Sequence, residues 1–226
     1  MRQMGKLIVL EGTDGSGKST QFARLTTHLQ ADRIAFERVV FPQYDKPSSA
    51  LLRMYLKGEF GPHPEDVNSY AASTFYAVDR YASFHQVWQK HYEAGGLVLA
   101  DRWTTSNAVH QGAKEPPEQR PRFFEWLYDF EYEKLGLPKP DLVLYLDMPI
   151  ALTERLMRQR EQQTHTQADI HERDLDYLRQ CRETAGLAAQ LGGWAVIPCA
   201  EQGNLRSIEA IHQQIYSCVL RCLEAR

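Results

Sequence analysis

The sequence predicts an α/β fold: a three-layer sandwich in which helices cover both faces of a five-stranded parallel sheet, in one domain spanning residues 1–226. Three observations predict it. Short apolar strand segments recur at residues 6–10, about 35–40, 97–100, 142–146 and 194–198, several of them nearly continuously apolar, and a strand buried on both faces reads this way. Segments with helical periodicity separate these runs, the alternation expected of parallel strands joined by helical crossovers. A Gly-rich stretch links the first run to the first helix.

Taken in order, Leu7-Ile8-Val9-Leu10 forms the first strand and Glu11 ends it. The segment Gly12-Thr13-Asp14-Gly15-Ser16-Gly17-Lys18-Ser19-Thr20 is a complete G-x-x-x-x-G-K-[ST] loop, and Phe22, Leu25 and Leu29 then repeat at helical spacing. Glycines let such a loop turn successive N–H groups toward a phosphate chain at the positive end of the next helix. Lys18 adds a cation for the β- and γ-phosphates, and Ser19 offers a hydroxyl to Mg²⁺. The alternative, a chance Gly/Ser-rich surface turn, lacks this strand-and-helix setting. The third and fourth strands end at Asp101 and Asp147, which places both acids with the phosphate loop at the carboxyl edge of the sheet, where ligands bind in open α/β sheets. In the last helix Ile208, Ile211, Ile215 and Val219 predict a buried stripe.

Composition narrows the class. With 226 residues and 43% hydrophobic content, one substantial core is expected. A net charge of −3 argues against a nucleic-acid or membrane surface, and the apolar run at the N-terminus is too short for a signal peptide or a membrane span. A cytoplasmic chain is the expectation. Cys181, Cys199, Cys218 and Cys222 lack the companions of a zinc site and read as buried free thiols. The stretch Lys114-Glu115-Pro116-Pro117-Glu118 reads as a loop within the domain.

Phosphate loops serve GTP switches, large ATPases and small-molecule kinases. Lys139-Pro140-Asp141 precedes its strand and lacks the Asn of a guanine-reading motif, and a large ATPase would be longer. A compact kinase with arginines for a phosphorylated acceptor fits the remainder. Four further stretches bear on the choice: Phe41-Pro42, Phe75-Tyr76-Ala77-Val78-Asp79-Arg80, Asp101-Arg102-Trp103 with Ser106-Asn107, and Leu146-Asp147-Met148-Pro149. In this order behind the phosphate loop, the chain resembles the thymidylate kinase family from Glu11 to the closing Ser207-Ile208-Glu209-Ala210 segment.

The resemblance implies the P-loop NTPase fold of the nucleoside-monophosphate kinases with a short lid at about 154–170, transfer of the γ-phosphoryl group of ATP to dTMP, a need for Mg²⁺, and a homodimer. It also implies roles. Asp14 would meet the acceptor's 3′-hydroxyl and metal-bound water, although Asp also suits a helix cap. Phe41 and Pro42 would border the acceptor. Tyr76 would stack on the base and Arg80, one turn on, would grip the acceptor phosphate through its bidentate fork; a core tyrosine beside a solvated arginine is the alternative. Asp101 would orient Mg²⁺ through water, and Arg102 would bridge donor and acceptor phosphates. Ser106 and Asn107 would begin the next helix, with Asn107 reading the pyrimidine edge or capping that helix. His110 would crowd the sugar's 2′ carbon, and Asp147 would floor the site. Gly15 and Ser16 stand where some members carry a catalytic arginine, so the lid residues Arg158 and Arg160 would supply that charge, unless they belong to a solvated helix face. Tyr44 replaces the arginine that many members carry two residues after Phe-Pro, leaving Arg53 or Lys57 as substitutes. Cys199 to Gly203 would lie near adenine. A kinase for another deoxynucleotide or a deoxynucleoside, and a non-catalytic nucleotide-binding regulator, are the competing readings.

Overall fold

A computed structural model describes residues 4–153, 155–156 and 175–225. Five strands, β1 (Lys6–Glu11), β2 (Phe36–Val40), β3 (Leu97–Asp101), β4 (Leu142–Asp147) and β5 (Ala195–Pro198), form one parallel sheet in the order β2-β3-β1-β4-β5. The five apolar runs of the sequence are these five strands. Each lies parallel to its neighbours, so the intervening chain must cross back over the sheet, and it does so through helices.

Register divides the core in two. Successive side chains on a strand face opposite ways. Leu7, Val9, Val98, Ala100, Val143 and Tyr145 therefore join one cluster, while Ile8, Leu10, Leu97, Leu99, Leu144 and Leu146 join the other. The second cluster is closed by α1 (Lys18–Ala31), through the predicted Phe22, Leu25 and Leu29, and by the C-terminal helix at residues 208–224, through Ile211, Ile215 and Val219. Ile208 departs from the expected stripe: it opens the C-terminal helix and is 50% exposed.

The first cluster is closed by more of the chain. Its helices include α5 (Thr104–His110), α6 (Arg120–Tyr128) and α7 (Leu175–Gly192), joined by Tyr92 of α4 (Gln89–Glu93), which leads into β3; α2 (Ala50–Leu56) packs on α3 (Ser69–Ser83) in a small separate cluster. The C-terminal helix is α8 (Ile208–Glu224). Asn68 caps α3, its Oδ1 accepting from Ala71 N at 2.8 Å. Two π-helical turns, Phe84–Trp88 after α3 and Asp129–Lys134 after α6, interrupt this layer. A two-stranded antiparallel ribbon, β6 (Ala200–Glu201) with β7 (Asn204–Leu205), was not expected; Gln202 and Gly203 make its turn, both at positive φ. Of the four free cysteines, Cys181 and Cys199 are buried as expected, whereas Cys218 and Cys222 on α8 are half-exposed.

Candidate active site

The phosphate loop connects β1 to α1. Gly15 and Gly17 have φ of 74° and 82°, left-handed values that favour glycine, and a Cβ on Gly12 would meet Ser16 Oγ at 2.5 Å. Thr13 and Ser16 are buried, yet Thr13 Oγ1 and Ser16 Oγ have no hydrogen-bond partner among the described residues. Buried hydroxyls left unpaired are costly unless a ligand pairs them. Lys18 is also buried, and its pKa is lowered by that burial and then by the neighbouring Arg102. These features fit a polyphosphate. Ser19 and Thr20 lie exposed at the start of α1.

Strand register sorts the two strand-end acids. Asp101 falls on the same face of β3 as Leu97 and Leu99, toward α1, and acts electrostatically on Lys18. Asp147 falls on the face of Val143 and Tyr145, toward α7, where Arg182 holds it in a two-pronged pair at 2.8 and 3.1 Å. The donor set Ser19 and Asp101, with phosphate oxygens and water, suits Mg²⁺, which keeps several waters and takes few protein ligands. No cluster of three or more His, Cys, Asp or Glu that could hold a metal occurs among the described residues.

Arg102 sits at the junction of the two halves of the site. Its φ is 68°, an unfavourable value for a residue with a side chain. One end of its guanidinium pairs with Asp14 of the phosphate loop, and Nη1 donates to His110 Nε2 at 3.0 Å. An accepting Nε2 puts the His110 proton on Nδ1, which lies 3.6 Å from Cys181 Sγ on α7. Burial disfavours the Arg102 charge, but Asp14, Glu11 and Asp101 outweigh it and raise its pKa above the ordinary value. The Tyr44 ring is near enough to add to this effect. Arg53, a proposed substitute for the absent arginine, spends Nη1 on the carbonyls of Tyr44 and Lys46 and on Ser49 Oγ. Lys57 lies exposed on the turn after α2.

Several assignments change once the side chains are placed. Ser106 lies inside α5 rather than at its start, and its hydroxyl donates to both oxygens of the buried Glu11, at 2.9 and 2.8 Å; Thr105 adds a bond at 2.9 Å. Glu11 in turn accepts from Gly12 N. This carboxylate therefore ties the phosphate loop to α5. Phe41 is a core residue packed on Trp103, with ring centroids 5.3 Å apart, and Pro42 follows it through a cis peptide.

Arg80 is 1% exposed and its fork is occupied: Nε donates to Glu131 Oε2 at 2.7 Å and Nη2 to Oε1 at 2.5 Å. Only Nη1 is turned elsewhere, at 3.5 Å from the Trp103 carbonyl. This arrangement does not offer the fork to an acceptor phosphate. Asp79 beside it anchors the loop after β2 by accepting from Gln43 N and Ser48 Oγ, at 2.8 and 2.7 Å.

The seam between α3 and α5 holds Asn107 and two polar residues that the sequence did not single out, Ser73 and Gln111. Asn107, also inside α5 and so not its cap, donates Nδ2 to Ser73 O at 3.2 Å. Among the described residues Ser73 Oγ has no partner, and neither does either amide atom of Gln111, one turn beyond Asn107 on the same face. Both residues are fully buried. Tyr76 lies half-buried on α3, beside Phe75 in the α2–α3 cluster. The signal for Gln111 was present in the i, i+4 spacing from Asn107; Glu131 and Arg182 had none beyond membership of charged helices. Arg158 and Arg160 lie outside the described residues, as does most of the expected lid.

Comparison with known proteins decides the family. The family described as thymidylate kinase matches residues 10–215. The chain belongs to the thymidylate kinase family. It is 32% identical over 191 residues to the thymidylate kinase of Mycobacterium tuberculosis, covering 83% of this chain and 87% of that one. With the human thymidylate kinase it shares 28% identity over 211 residues, 93% and 88% of the two chains. A solved thymidylate kinase structure from Candida albicans superposes with a TM-score of 0.69 at 20% identity, over 96% of this chain and 92% of that one, which shows the shared fold. Thymidylate kinases phosphorylate dTMP with ATP as donor. The five-stranded parallel sheet and the phosphate loop described above are the framework on which this family's reaction is carried.

Proposed function

We propose that this chain transfers the γ-phosphoryl group of ATP to dTMP, giving ADP and dTDP, through the residues gathered around Arg102. One observation carries this reading: the Asp14–Arg102–His110 chain joins the phosphate loop to a seam that holds the buried, unpartnered Ser73 Oγ and Gln111 amide. A donor and an acceptor nucleotide would meet there. Backbone N–H groups of residues 12–17, the Thr13 and Ser16 hydroxyls and Lys18 would hold the triphosphate. The acceptor would enter the seam with its base against Tyr76 and its edge on Ser73, Asn107 and Gln111, whose amide offers both a donor and an acceptor. His110 would lie at the sugar.

Arg102, with Arg80 committed to Glu131, is the cation for the acceptor phosphate, and its Asp14 contact would open to admit phosphate oxygens and the sugar hydroxyl. Mg²⁺ near Ser19 and Asp101 would supply charge neutralisation between the phosphates. Phosphoryl transfer needs positioning and cations more than covalent chemistry, so Lys18, Arg102 and the lid residues Arg158 and Arg160 would act by stabilising the transferring group. The family resemblance supports a homodimer, as do Tyr70, Val78 and Tyr81, exposed along one face of α3; sedimentation of the purified protein checks this. The cytoplasm is the compartment this reading implies.

The test is ADP release with dTMP, dUMP, UMP, dCMP and thymidine as acceptors. Turnover is expected to be highest with dTMP. Phosphorylation of thymidine but not dTMP would sink the assignment, because a nucleoside brings no phosphate for Arg102 to bind.

A further inference from the structure

Glu131 sits in the π-helical turn after α6, remote in sequence from every motif of the site, and is fully buried. A carboxylate is removed from water only where its charge is met. Here the Arg80 guanidinium meets it with two parallel bonds at 2.7 and 2.5 Å, and Thr104 Oγ1 donates a third at 2.7 Å. Arg80 belongs to α3 and follows Tyr76 by one turn. Thr104 opens α5, two residues after Arg102 and three before Asn107. Among the described residues, the Glu131 carboxylate thus links the two helices whose seam forms the acceptor half of the site. π-helical turns are frequent at functional sites, which is consistent with this placement.

We infer that Glu131 is a positioning residue for the acceptor nucleotide: it holds the Arg80 fork and the first turn of α5 together and so fixes the width of the α3–α5 seam. The inference rests on the acceptor site proposed above. Without the carboxylate, Arg80 is a buried cation left with the Trp103 carbonyl, 3.5 Å from Nη1, and a buried charge without a partner reorganises its surroundings. A rotation of Arg80 toward Trp103 would disturb the backbone that follows Arg102. Among the described residues, β1, the phosphate loop and α1 make no hydrogen bond to Glu131.

The test compares wild-type protein with Glu131→Gln and Glu131→Asp, using ADP-release kinetics together with calorimetric binding of dTMP and of an ATP analogue. Wild-type turnover with dTMP is established first, so that failure of the proposed activity is recognised before any variant is read. For Glu131→Gln the KM and Kd for dTMP are expected to rise about tenfold or more, the size of effect seen when one partner of a buried charge pair is lost, while the ATP constants stay within about twofold. Glu131→Asp, which retains the charge, is expected to recover part of the loss. Unchanged dTMP constants in Glu131→Gln, or an equal loss for dTMP and ATP, would overturn the inference. Should the single variants not fold, the pair Arg80→Met with Glu131→Leu removes both charges, a change that buried ion pairs commonly tolerate. That pair is expected to show the same selective loss of dTMP binding, and wild-type dTMP affinity in it would equally overturn the proposal.

Discussion

At the scale of single residues, the site is built from polar side chains of two kinds, those already satisfied in the free protein and those left waiting. Glu11, Asp79 and Glu131 are satisfied, each accepting bonds that join separate segments. Thr13, Ser16, Ser73 and Gln111 are not. The distinction yields opposite signs for one substitution. Replacing Gln111 by Leu removes a buried amide that lacks partners, so thermal stability should hold or rise by up to about 2 kcal/mol. Affinity for dTMP should fall about tenfold, since the base edge loses a donor and an acceptor. Melting temperature and dTMP titration on the same preparation check both signs. Sequence reading could place Lys18, Asp14 and Arg102, because their positions follow from a motif or from a strand end. It could not predict the state of Arg80. An arginine one turn beyond an aromatic residue is compatible with a ligand, and only the fold brings Glu131, from the run Asp129-Phe130-Glu131-Tyr132-Glu133, against it. In that run three acids alternate with aromatics, and nothing in their order marks the middle acid as the buried one.

Elements follow more directly from sequence, because strand and helix periodicities are local. All five parallel strands were legible as apolar runs. The ribbon β6–β7 was missed because two-residue strands leave no periodicity to read; Gln202-Gly203 was its one turn signal. Between α1 and α8 lies a polar contact with a consequence for pH. His28 Nδ1 is 2.9 Å from His212 Nε2, Tyr216 stacks on His28 at 3.8 Å, and the Tyr216 hydroxyl bonds to Asp32. Burial lowers the His212 pKa, followed by the effects of His28 and Arg24, while Glu209 opposes them. In the unfolded chain His212 takes up a proton at its ordinary value near 6.5; in the folded protein it resists until lower pH. The unfolded state therefore binds more protons in that window, and stability falls as pH drops below about 6.5. Melting temperatures between pH 5 and 8 should show this slope in the wild type and a shallower one in His212→Gln.

For the whole molecule, the strand order places the loops after β1 and β3 side by side, with β4 on the other flank of β1, so nucleotide binding at the proposed site would engage the central strands of the sheet. Ligands that bind only the folded state stabilise it by mass action, by about 2.7 kcal/mol at a concentration one hundred times Kd. ATP should therefore raise the melting temperature, and Lys18→Met should abolish most of that rise while leaving the ligand-free melting temperature little changed. Calorimetric scans of both proteins with and without nucleotide check this. The layered fold was readable because it depends on the alternation of strands with helices over the full chain. The proposed acceptor half was less so, because it is assembled from α3, α5 and the turn after α6, segments that meet only once the sheet has formed.

Arg102 also limits how this protein can vary. Its backbone lies in the left-handed region, where glycine rests without penalty, Asn and Asp are tolerated, and other side chains cost about 1 kcal/mol or more. Its side chain must span from β3 to Asp14 and His110. The backbone and the side chain thus ask for different amino acids: the residue that relieves the one abandons the other. No single-step replacement improves on arginine in both respects, and the position is a local optimum from which sequence drift has no downhill exit.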